Sequence, residues 1–462
     1  MMEGEQTEIR VTTFPSAEPL LRLSPSAGQS AAVGYFSEIE CVHGERRVNL
    51  YCVIDGSLPR DSISMSVQAA RQLKLTEYTW LMPAGLSSHR IQFGPLIGIL
   101  ANPQWDKEKR TLKKSKQLES LERLVEMGRM YGAVCFLFSI SGVDLRAGTI
   151  RGYVQNDGRW HRRVLPMPDV IYDQLVSRKL ERDPAVQDKR QALSRRYGRK
   201  FFNDGFFDKW QVYEWLQEDL EVRAHVPHTV RHTTIPAAVA FLSSHQTAFL
   251  KPLHGSLGLG IARFVKQRDG SFLYELKQNT SYVTRGKAAS AKDAVQTFRT
   301  RLKNRPYIWQ EGLWLATYQN RPVDIRILMQ RDHTGNWKRT KMFARVAKSG
   351  DFTSNLTGGG DAMPVDDALL ECLPKVEQRT KAKGQIRRLS HKIAEAIEKQ
   401  SGRTFGELGI DLGLDLTGKV WVIEVNSKPR KAPSTEKGRK DLVDLSFERP
   451  IRYAIYLAKS TS

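Results

Sequence analysis

Near its C-terminus the chain alternates between apolar and polar residues with a period of two, which predicts β-strands. Residues 408–416 and 419–426 follow this pattern on either side of Thr417-Gly418, a short glycine-containing turn, so the segment predicts a β-hairpin. The apolar members of the two runs fall on one face: Ile410, Leu412, Leu414, Trp421, Ile423 and Val425. We therefore expect one face of this hairpin to pack on a core and the other to present its polar residues.

The polar face of this hairpin would carry two carboxylates. With the turn centred on the Thr-Gly dipeptide, Asp411 lies opposite Glu424, and Gly409 lies opposite Asn426. Like charges at such a position, roughly 5 Å apart, destabilise a hairpin unless a cation lies between them. Because oxygen ligands suit Mg²⁺, with Mn²⁺ as an alternative, Asp411, Glu424 and Asn426 are candidate metal ligands. The alternatives are a solvated acidic hairpin and a register slip of one residue, which would send alternate side chains to the other face.

The same alternation predicts a second hairpin from residues 323–330 and 340–347. Its pairing sets Asp324 opposite Arg345, with Arg326 on the same face. The opposite face is apolar and comprises Val323, Ile325, Ile327, Met342, Ala344 and Val346. Arginine forks suit phosphate or carboxylate, so Arg326 and Arg345 are candidate catalytic residues; a structural ion pair between Asp324 and Arg345 is the alternative.

Two parts precede these hairpins. Over residues 1–93, short β-like runs surround one helix, which predicts a small β-rich N-terminal module whose first 30 or so residues are loosely ordered. Over residues 94–200, buried strands alternate with a helix at 112–131 and lead into a charged surface helix or linker at 178–199. This alternation predicts an α/β unit.

A glycine-rich loop lies between predicted strands at 247–250 and 261–265. Glycines let a backbone approach phosphate closely, and the candidate residues here are Gly255, Ser256, Gly258 and Gly260. The loop lacks the GK[ST] ending of a Walker motif, and no helix follows it as in a dinucleotide-binding fingerprint. We predict a flexible flap that closes over nucleotide, with an ordinary hairpin as the equal alternative.

Two helices are also predicted in this part of the chain. Asp208 is expected to cap a helix that begins near Lys209, and a second helix is expected over residues 386–400. His228 and His232 are four residues apart, but no acidic partner or HExxH context accompanies them, which argues against a metal site.

The chain has 462 residues, which suits two or three domains, and a formal net charge of +22. This charge favours anionic partners such as nucleotides, nucleic acid, an anionic cell-wall polymer or acidic peptides, without choosing among them. The sequence has no zinc finger, RRM-type aromatic signature or basic-zipper heptad, and solvated basic faces are the alternative. The basic residues cluster at 107–116, 178–200, 375–392 and 428–440.

Composition also bears on the cellular compartment. The four cysteines have no CxxC spacing, which argues against a disulfide framework or a zinc site. No apolar run is long enough to span a bilayer, and the first residues lack the basic start and apolar core of a signal peptide. We therefore expect a cytoplasmic protein.

These motifs together carry a resemblance. The spacing Asp411, then Glu424-x-Asn426 followed by Pro429, is similar to the metal-binding end of ATP-grasp ligases, and residues 201–429 resemble the YheC/YheD family of ATP-grasp proteins, named for association with the bacterial endospore coat. The resemblance implies an α/β (α+β) ATP-grasp fold over residues 201–462, following the N-terminal module and the α/β unit. It also implies spore-coat association and a homodimer.

The resemblance further implies roles for single residues. Lys251 matches the family lysine that contacts nucleotide phosphate, and Lys209 heads a helix that can face the ligand, with a surface lysine as the alternative. Gln310 and Leu313 match the adenine-binding hinge, where Glu311 is the candidate ribose ligand. Asn355 would lie where acceptor and phosphate meet.

The implied activity is an ATP- and Mg²⁺-dependent ligase. A small-molecule or peptide carboxylate would form an acyl phosphate, and an amine acceptor would then displace phosphate. Two other functions stay open: a nucleotide-binding structural or regulatory protein of the spore coat, and a binder of nucleic acid or another anionic polymer. The sequence does not identify the carboxylate or the amine.

Overall fold

The computed structural model describes residues 6–33, 37–75, 81–156, 158–255, 258–279, 282–354, 359–430 and 439–460. The N-terminal elements are β1 (Gln6–Phe14), β2 (Leu20–Leu23), α1 (Pro25–Ala31), β3 (Ser37–His43), β4 (Arg46–Ile54), β5 (Ser62–Ser66), α2 (Val67–Leu73), β6 (Leu81–Leu86) and β7 (Arg90–Phe93). The seven strands close into a barrel in the order β1-β5-β2-β4-β3-β7-β6. The expectation of loose order over the first 30 residues is wrong for those described, because Ile9, Val11, Leu21 and Leu23 are buried in the barrel core.

The second unit is a mixed sheet flanked by helices. Its elements are β8 (Leu96–Leu100), β9 (Trp105–Asp106), β10 (Thr111–Leu112), α3 (Lys116–Met130), β11 (Val134–Asp144), β12 (Thr149–Asn156), β13 (Arg159–Pro166), β14 (Val170–Asp173), α4 (Arg178–Glu181), α5 (Pro184–Tyr197) and β15 (Phe201–Phe202). The sheet order is β13-β12-β11-β8-β14-β15, and β11, β8, β14 and β15 run parallel. The predicted helix starts four residues late, at Lys116, because Ser115 caps it by accepting a hydrogen bond from the Leu118 amide at 3.1 Å.

The third unit begins with a six-stranded sheet. Its elements are α6 (Lys209–Gln217), β16 (Thr229–Arg231), α7 (Ile235–Ser244), β17 (Thr247–Pro252), β18 (Ala262–Lys266), β19 (Phe272–Lys277), β20 (Val283–Ala288), α8 (Ala291–Thr297), α9 (Arg299–Asn304) and β21 (Tyr307–Glu311). The order β16-β21-β17-β18-β19-β20 is antiparallel throughout. Phe264, Phe298 and Trp309 lie in the core between this sheet and its helices. The glycine loop therefore joins two adjacent strands, β17 and β18, as predicted.

A second sheet completes this unit. Its elements are β22 (Thr317–Tyr318), β23 (Arg321–Arg331), β24 (Trp337–Val346), β25 (Asp361–Met363), α10 (Val365–Cys372), α11 (Val376–Ser401), β26 (Glu407–Leu414), β27 (Val420–Asn426) and α12 (Lys440–Lys459). The order is β25-β24-β23-β26-β27, with β22 paired to β23. The helix predicted over 386–400 is longer and spans 26 residues, because Ala382 and Ile386 extend its buried stripe towards the N-terminus.

The units share buried surface. One apolar cluster runs from the barrel into the sheet of the second unit, where it includes Phe136 on β11 and Ile171 on β14. The last helix, α12, returns to this sheet and packs Phe447 and Ile451 against it. We propose units at 1–93, 94–200 and 201–462, with β15 and α12 of the third unit attached to the second across the boundary. Over the described residues, no helix has the length and apolarity needed to cross a membrane.

Candidate functional site

The two carboxylates of the C-terminal hairpin face each other. Asp411 of β26 pairs with Glu424 of β27, and Gly409 pairs with Asn426, as the sequence predicted. A bulge then shifts the register, so that Leu412 pairs with Val422. The predicted apolar face is therefore wrong at Trp421 and Ile423. The extra residue reverses the alternation, and the core instead takes Val420 and Val422.

Cationic side chains of the protein itself contact both carboxylates. The Lys209 amine donates to Glu424 Oε1 at 2.8 Å. Arg326 Nη1 lies 2.7 Å from Asp411 Oδ1, and Arg345 Nη2 lies 2.9 Å from Asp411 Oδ2. Burial alone would raise the pKa of Glu424, but Lys209, Lys251 and Arg326 together lower that pKa to about 2. Glu424 is therefore ionised at neutral pH.

Arg345 joins the two hairpins. It pairs with Asp324 across β23 and β24 as predicted, through two hydrogen bonds of 2.7 Å from Nε and Nη2. Ser354 also donates to Asp324, whose pKa is raised by burial despite the charge of Arg345. The structural ion pair considered as an alternative is thus present, and Arg345 extends it to Asp411. The desolvation of Arg345 is offset by these two carboxylates, which raise its pKa.

The hairpin residues fit a magnesium ion held together with phosphates. Among the described residues, Asp411 Oδ1 is buried and accepts no hydrogen bond, although Arg326 lies close to it. Lys209 contacts Glu424 through Oε1. Within the described ranges, no group of three histidine, cysteine or acidic side chains could hold a metal. The site therefore offers two carboxylates and the Asn426 amide, which suits an ion whose remaining ligands are substrate phosphates and water.

The absence of a side chain at Gly409 keeps this site open. A Cβ at that position would lie 3.2 Å from Arg326 Nη1 and 3.1 Å from Pro429 Cβ. A side chain would therefore displace the arginine beside Asp411.

Lys251 lies at the end of β17 and donates to Gln310 Oε1 on β21. Burial lowers the pKa of Lys251 to about 8, and the charge of Lys209 adds to this effect. Gln310 Nε2 donates to Thr229 Oγ1 at 2.9 Å, which fixes its amide. Lys209, Lys251, Gln310 and Glu424 are thereby brought into one cluster between the two sheets.

The other hinge residues have different surroundings. Glu311 Oε1 accepts a hydrogen bond from the His228 amide at 2.9 Å, so one oxygen of this candidate ribose ligand is engaged by the backbone. Leu313 is half-buried in the segment that joins the two sheets. The imidazoles of His228 and His232 are not paired with each other: the His228 ring lies 5.4 Å from the Phe241 ring and is tilted against it, and His232 accepts from the Trp309 indole at 3.3 Å.

The glycine loop approaches the second sheet through a lysine that the sequence did not single out. Gly258 has a φ of +72°, and a Cβ there would lie 3.7 Å from Lys277 Cδ and 3.5 Å from Thr353 Oγ1. The Lys277 side chain is 1% exposed, and its amine donates to Asp351 and, at 2.6 Å, to Thr353. Leu276 and Lys277 are consecutive residues of β19, so alternation places Lys277 on the face opposite to that of the core residue Leu276. No sequence signal indicates that Asp351 is the partner of Lys277.

Gly255 and Gly260 flank the same loop. Gly260 has a φ of +76°, and its amide donates to the Lys277 carbonyl at 2.8 Å. A Cβ on Gly260 would lie 2.3 Å from Arg305 Nη2. Two candidate residues, Ser256 and Asn355, lie outside the described residues.

Buried polar contacts anchor the hairpin to the second unit. Asn203 has a φ of +58°. Its Oδ1 accepts from the Gly406 amide at 2.8 Å, and its Nδ2 donates to the Ser427 carbonyl at 2.6 Å. Lys428 then reaches Asp173 of β14 at 2.8 Å, and Asp173 also pairs with Arg190. The linker was expected to be a charged surface segment, but Arg190 is buried because Asp173 and Asp204 compensate its charge.

This chain is similar to known proteins over most of its length. A family model described as YheC/D like ATP-grasp matches residues 198–457. Endospore coat-associated protein YheD of Bacillus subtilis (strain 168) is 25% identical over 374 residues, which are 81% of this chain and 81% of that protein. Endospore coat-associated protein YheC of the same organism is 24% identical over 298 residues, covering 64% of this chain and 78% of that protein.

Solved structures also match over most of the chain. D-alanyl-alanine synthetase A from Vibrio cholerae covers 79% of this chain and 97% of its own length, with 12% identity and a TM-score of 0.45. The ATP-grasp ligase PsnB, solved with a minimal precursor, covers 76% of this chain and 98% of its own length, with 13% identity and a TM-score of 0.41.

Proposed function

Because the chain belongs to the YheC/D-like ATP-grasp family and has the ATP-grasp fold, we propose that it is an ATP- and Mg²⁺-dependent carboxylate–amine ligase. A substrate carboxylate would attack the γ-phosphate of ATP, giving an acyl phosphate and ADP, and an amine would then displace phosphate. The observation that carries this proposal is that Asp411 and Glu424 lie directly opposite each other on β26 and β27. Lys209 forms an ion pair with Glu424, and Arg326 and Arg345 form ion pairs with Asp411.

The chain's own residues would act by neutralising charge and aligning the reactants. Lys209 and Lys251 would bind the phosphates of ATP, while Gln310, Glu311 and Leu313 would border the adenosine. Arg326 and Arg345 would hold the transferring phosphoryl group and the acyl phosphate, with Asn355 near the acceptor. The glycine loop, which reaches Lys277 and Thr353, would exclude water from the acyl phosphate. Asp411, Glu424 and Asn426 would hold magnesium, which would supply positive charge to neutralise the phosphates of ATP.

The direct test is release of ADP and phosphate from the purified chain with Mg²⁺-ATP, scanned against pools of amino acids and peptides. We expect release that depends on a particular pool, because acyl phosphate formation requires the carboxylate. Equal release with every pool would indicate an ATPase rather than a ligase. Nucleotide binding without release in any pool would contradict the proposal and favour a nucleotide-binding structural or regulatory protein associated with the spore coat.

The pKa of Lys251 predicts how ATP binding depends on pH. With a pKa of about 8 in the free protein, this amine is protonated at pH 7 and loses its charge as the pH rises towards 9. We expect ATP to bind more weakly over this range, with a Kd that rises by up to about tenfold per pH unit. Titration calorimetry at several pH values would measure this Kd. Lys251→Arg keeps the charge and should flatten the profile; an unchanged slope in that variant would exclude Lys251 as the titrating group.

The net charge of +22 favours a second function, the binding of an anionic polymer. Basic residues gather where α11 faces β24. Burial lowers the pKa of His391 there, and the charges of Lys338, Arg387 and Arg339 lower it further. Such binding would weaken steeply as salt concentration rises. A polymer of this kind could also be the substrate of the ligase, and a spore-coat protein or a second copy of the chain are further proposed partners.

A further inference from the structure

A polar cleft of about 240 Å³ lies beside the proposed ATP site. The residues that line it come from α4, α5 and α6, from the segment between β15 and α6, and from the segment after β17; they include Arg178, Glu181, Arg182, Asp208, Gln211 and His254. The parallel strands β14 and β15 are neighbours, and α4 and Asp208 follow their carboxyl ends. Ligands of α/β sheets bind in crevices at this edge. The position of the cleft is therefore that of a binding site.

One oxygen of each acidic group of the cleft is engaged by the backbone. Glu181 Oε1 accepts from the Phe206 amide at 2.8 Å, and its Oε2 lies 3.9 Å from the Lys428 amine. Asp208 Oδ1 accepts from the Gln211 amide at 2.8 Å as the cap of α6. Both carboxylates therefore have local structural roles.

The basic groups keep donors available. Arg178 donates one hydrogen bond to the Phe207 carbonyl at 3.3 Å and stacks over the Phe206 ring at 4.2 Å. Over the parts of the chain that the structure describes, the Arg182 guanidinium makes no ion pair or hydrogen bond. Arg178 begins α4 and Arg182 is the residue that ends it, and both line the cleft. A guanidinium group can donate two parallel hydrogen bonds to a carboxylate, so this end of the cleft suits an anionic group.

The cleft is next to the proposed catalytic residues. Asp208 directly precedes Lys209, which contacts Glu424. Burial lowers the pKa of Arg178, and the charge of Glu424 opposes this effect. Burial also lowers the pKa of His254, and the charge of Lys209 lowers it further. The volume is below the roughly 300–1,000 Å³ of a complete small-molecule site, so the cleft suits one end of a longer ligand whose other end reaches the phosphates.

We propose that this cleft holds a second, unreacting carboxylate of the acid substrate through Arg178 and Arg182. The inference rests on the proposed ligase activity and narrows its substrate to dicarboxylic compounds, namely acidic amino acids or peptides that carry an acidic residue. One carboxylate is bound in the cleft while the other accepts the phosphoryl group. A neutral amide in place of the bound carboxylate loses the ionic interaction with the two guanidinium groups and is therefore bound less tightly.

The dipeptides Ala-Glu and Ala-Gln test this, because they have the same size and differ by one carboxylate. Their binding to the full chain, loaded with Mg²⁺ and a non-hydrolysable ATP analogue, is measured by titration calorimetry. We expect Ala-Glu to bind about tenfold more tightly than Ala-Gln. Arg182→Gln should remove this difference without changing affinity for the analogue. Lys179→Gln is the matched control, because it removes the same charge from an exposed position of α4 outside the cleft.

Equal affinity for the two dipeptides, or binding of neither, would overturn the proposal. If Lys179→Gln also removed the preference for Ala-Glu over Ala-Gln, the proposal would be overturned. The preference would then depend on the net charge of the protein and not on a contact with Arg182. Weaker binding of the ATP analogue by Arg182→Gln would assign the arginine to phosphate instead. Failure of the ligase proposal is separate: it would be seen as ADP release that does not depend on Glu424, whatever the dipeptides do.

Discussion

Glu424→Gln is expected to lower ADP release by about 10²- to 10³-fold while leaving the protein folded. Glu424 is ionised at neutral pH because Lys209, Lys251 and Arg326 outweigh the effect of burial and lower its pKa to about 2. The amide keeps the size of the side chain but removes the negative charge that would bind magnesium. It also leaves the Lys209 amine without its carboxylate partner.

The measurement is steady-state ADP release with Mg²⁺-ATP and an active substrate pool, together with circular dichroism for the fold. Glu395→Gln is the matched control, because it makes the same change at an exposed position on α11, where Glu395 pairs with Lys392 at 3.4 Å. We expect near-normal release from the control. Near-normal release from Glu424→Gln would remove Glu424 from the metal site and with it the main support for catalysis.

The facing of Asp411 and Glu424 could be predicted from the sequence because the turn is short and the alternation is regular on both sides. The pairing of Asp324 with Arg345 followed from the same reasoning. Both are local: a period of two and one turn determine which side chains are opposite. The overall order of motifs added the ATP-grasp fold, which the match over residues 198–457 supports.

What the sequence did not predict depends on contacts between distant segments. The bulge that brings Val422 into the core leaves no mark on the alternation, since Trp421 and Ile423 are equally apolar. Lys277 and Asp351 are 74 residues apart, and their pairing follows from how the end of β19 meets the segment after β24. Cationic side chains from β23, β24 and α6 contact the two carboxylates of the hairpin. From the sequence a metal ion was the expected source of this neutralising charge, but the protein supplies part of it.

Asp173→Asn is expected to destabilise the protein by about 3–5 kcal/mol. Asp173 is fully buried; it lies 2.8 Å from the Lys428 amine and pairs with Arg190 through its other oxygen. Its pKa is lowered, since the charges of Lys428 and Arg190 outweigh the burial that would raise it. The substitution leaves two buried cations short of compensating charge at the junction of the second unit with the hairpin.

The pH dependence of this effect follows from the same pKa. A lowered pKa means that the folded state binds fewer protons than the unfolded one, so Asp173 contributes its stability above the unfolded value of about 3.9 and loses it as the pH falls below that value. Urea unfolding followed by circular dichroism should therefore show the full difference at pH 7 and a smaller one near pH 3. Asp366→Asn removes the exposed partner of Lys383 and should change little at either pH. An equal effect of the two substitutions at pH 7 would mean that the buried cations find other partners, and that Asp173 does not hold the hairpin to the second unit.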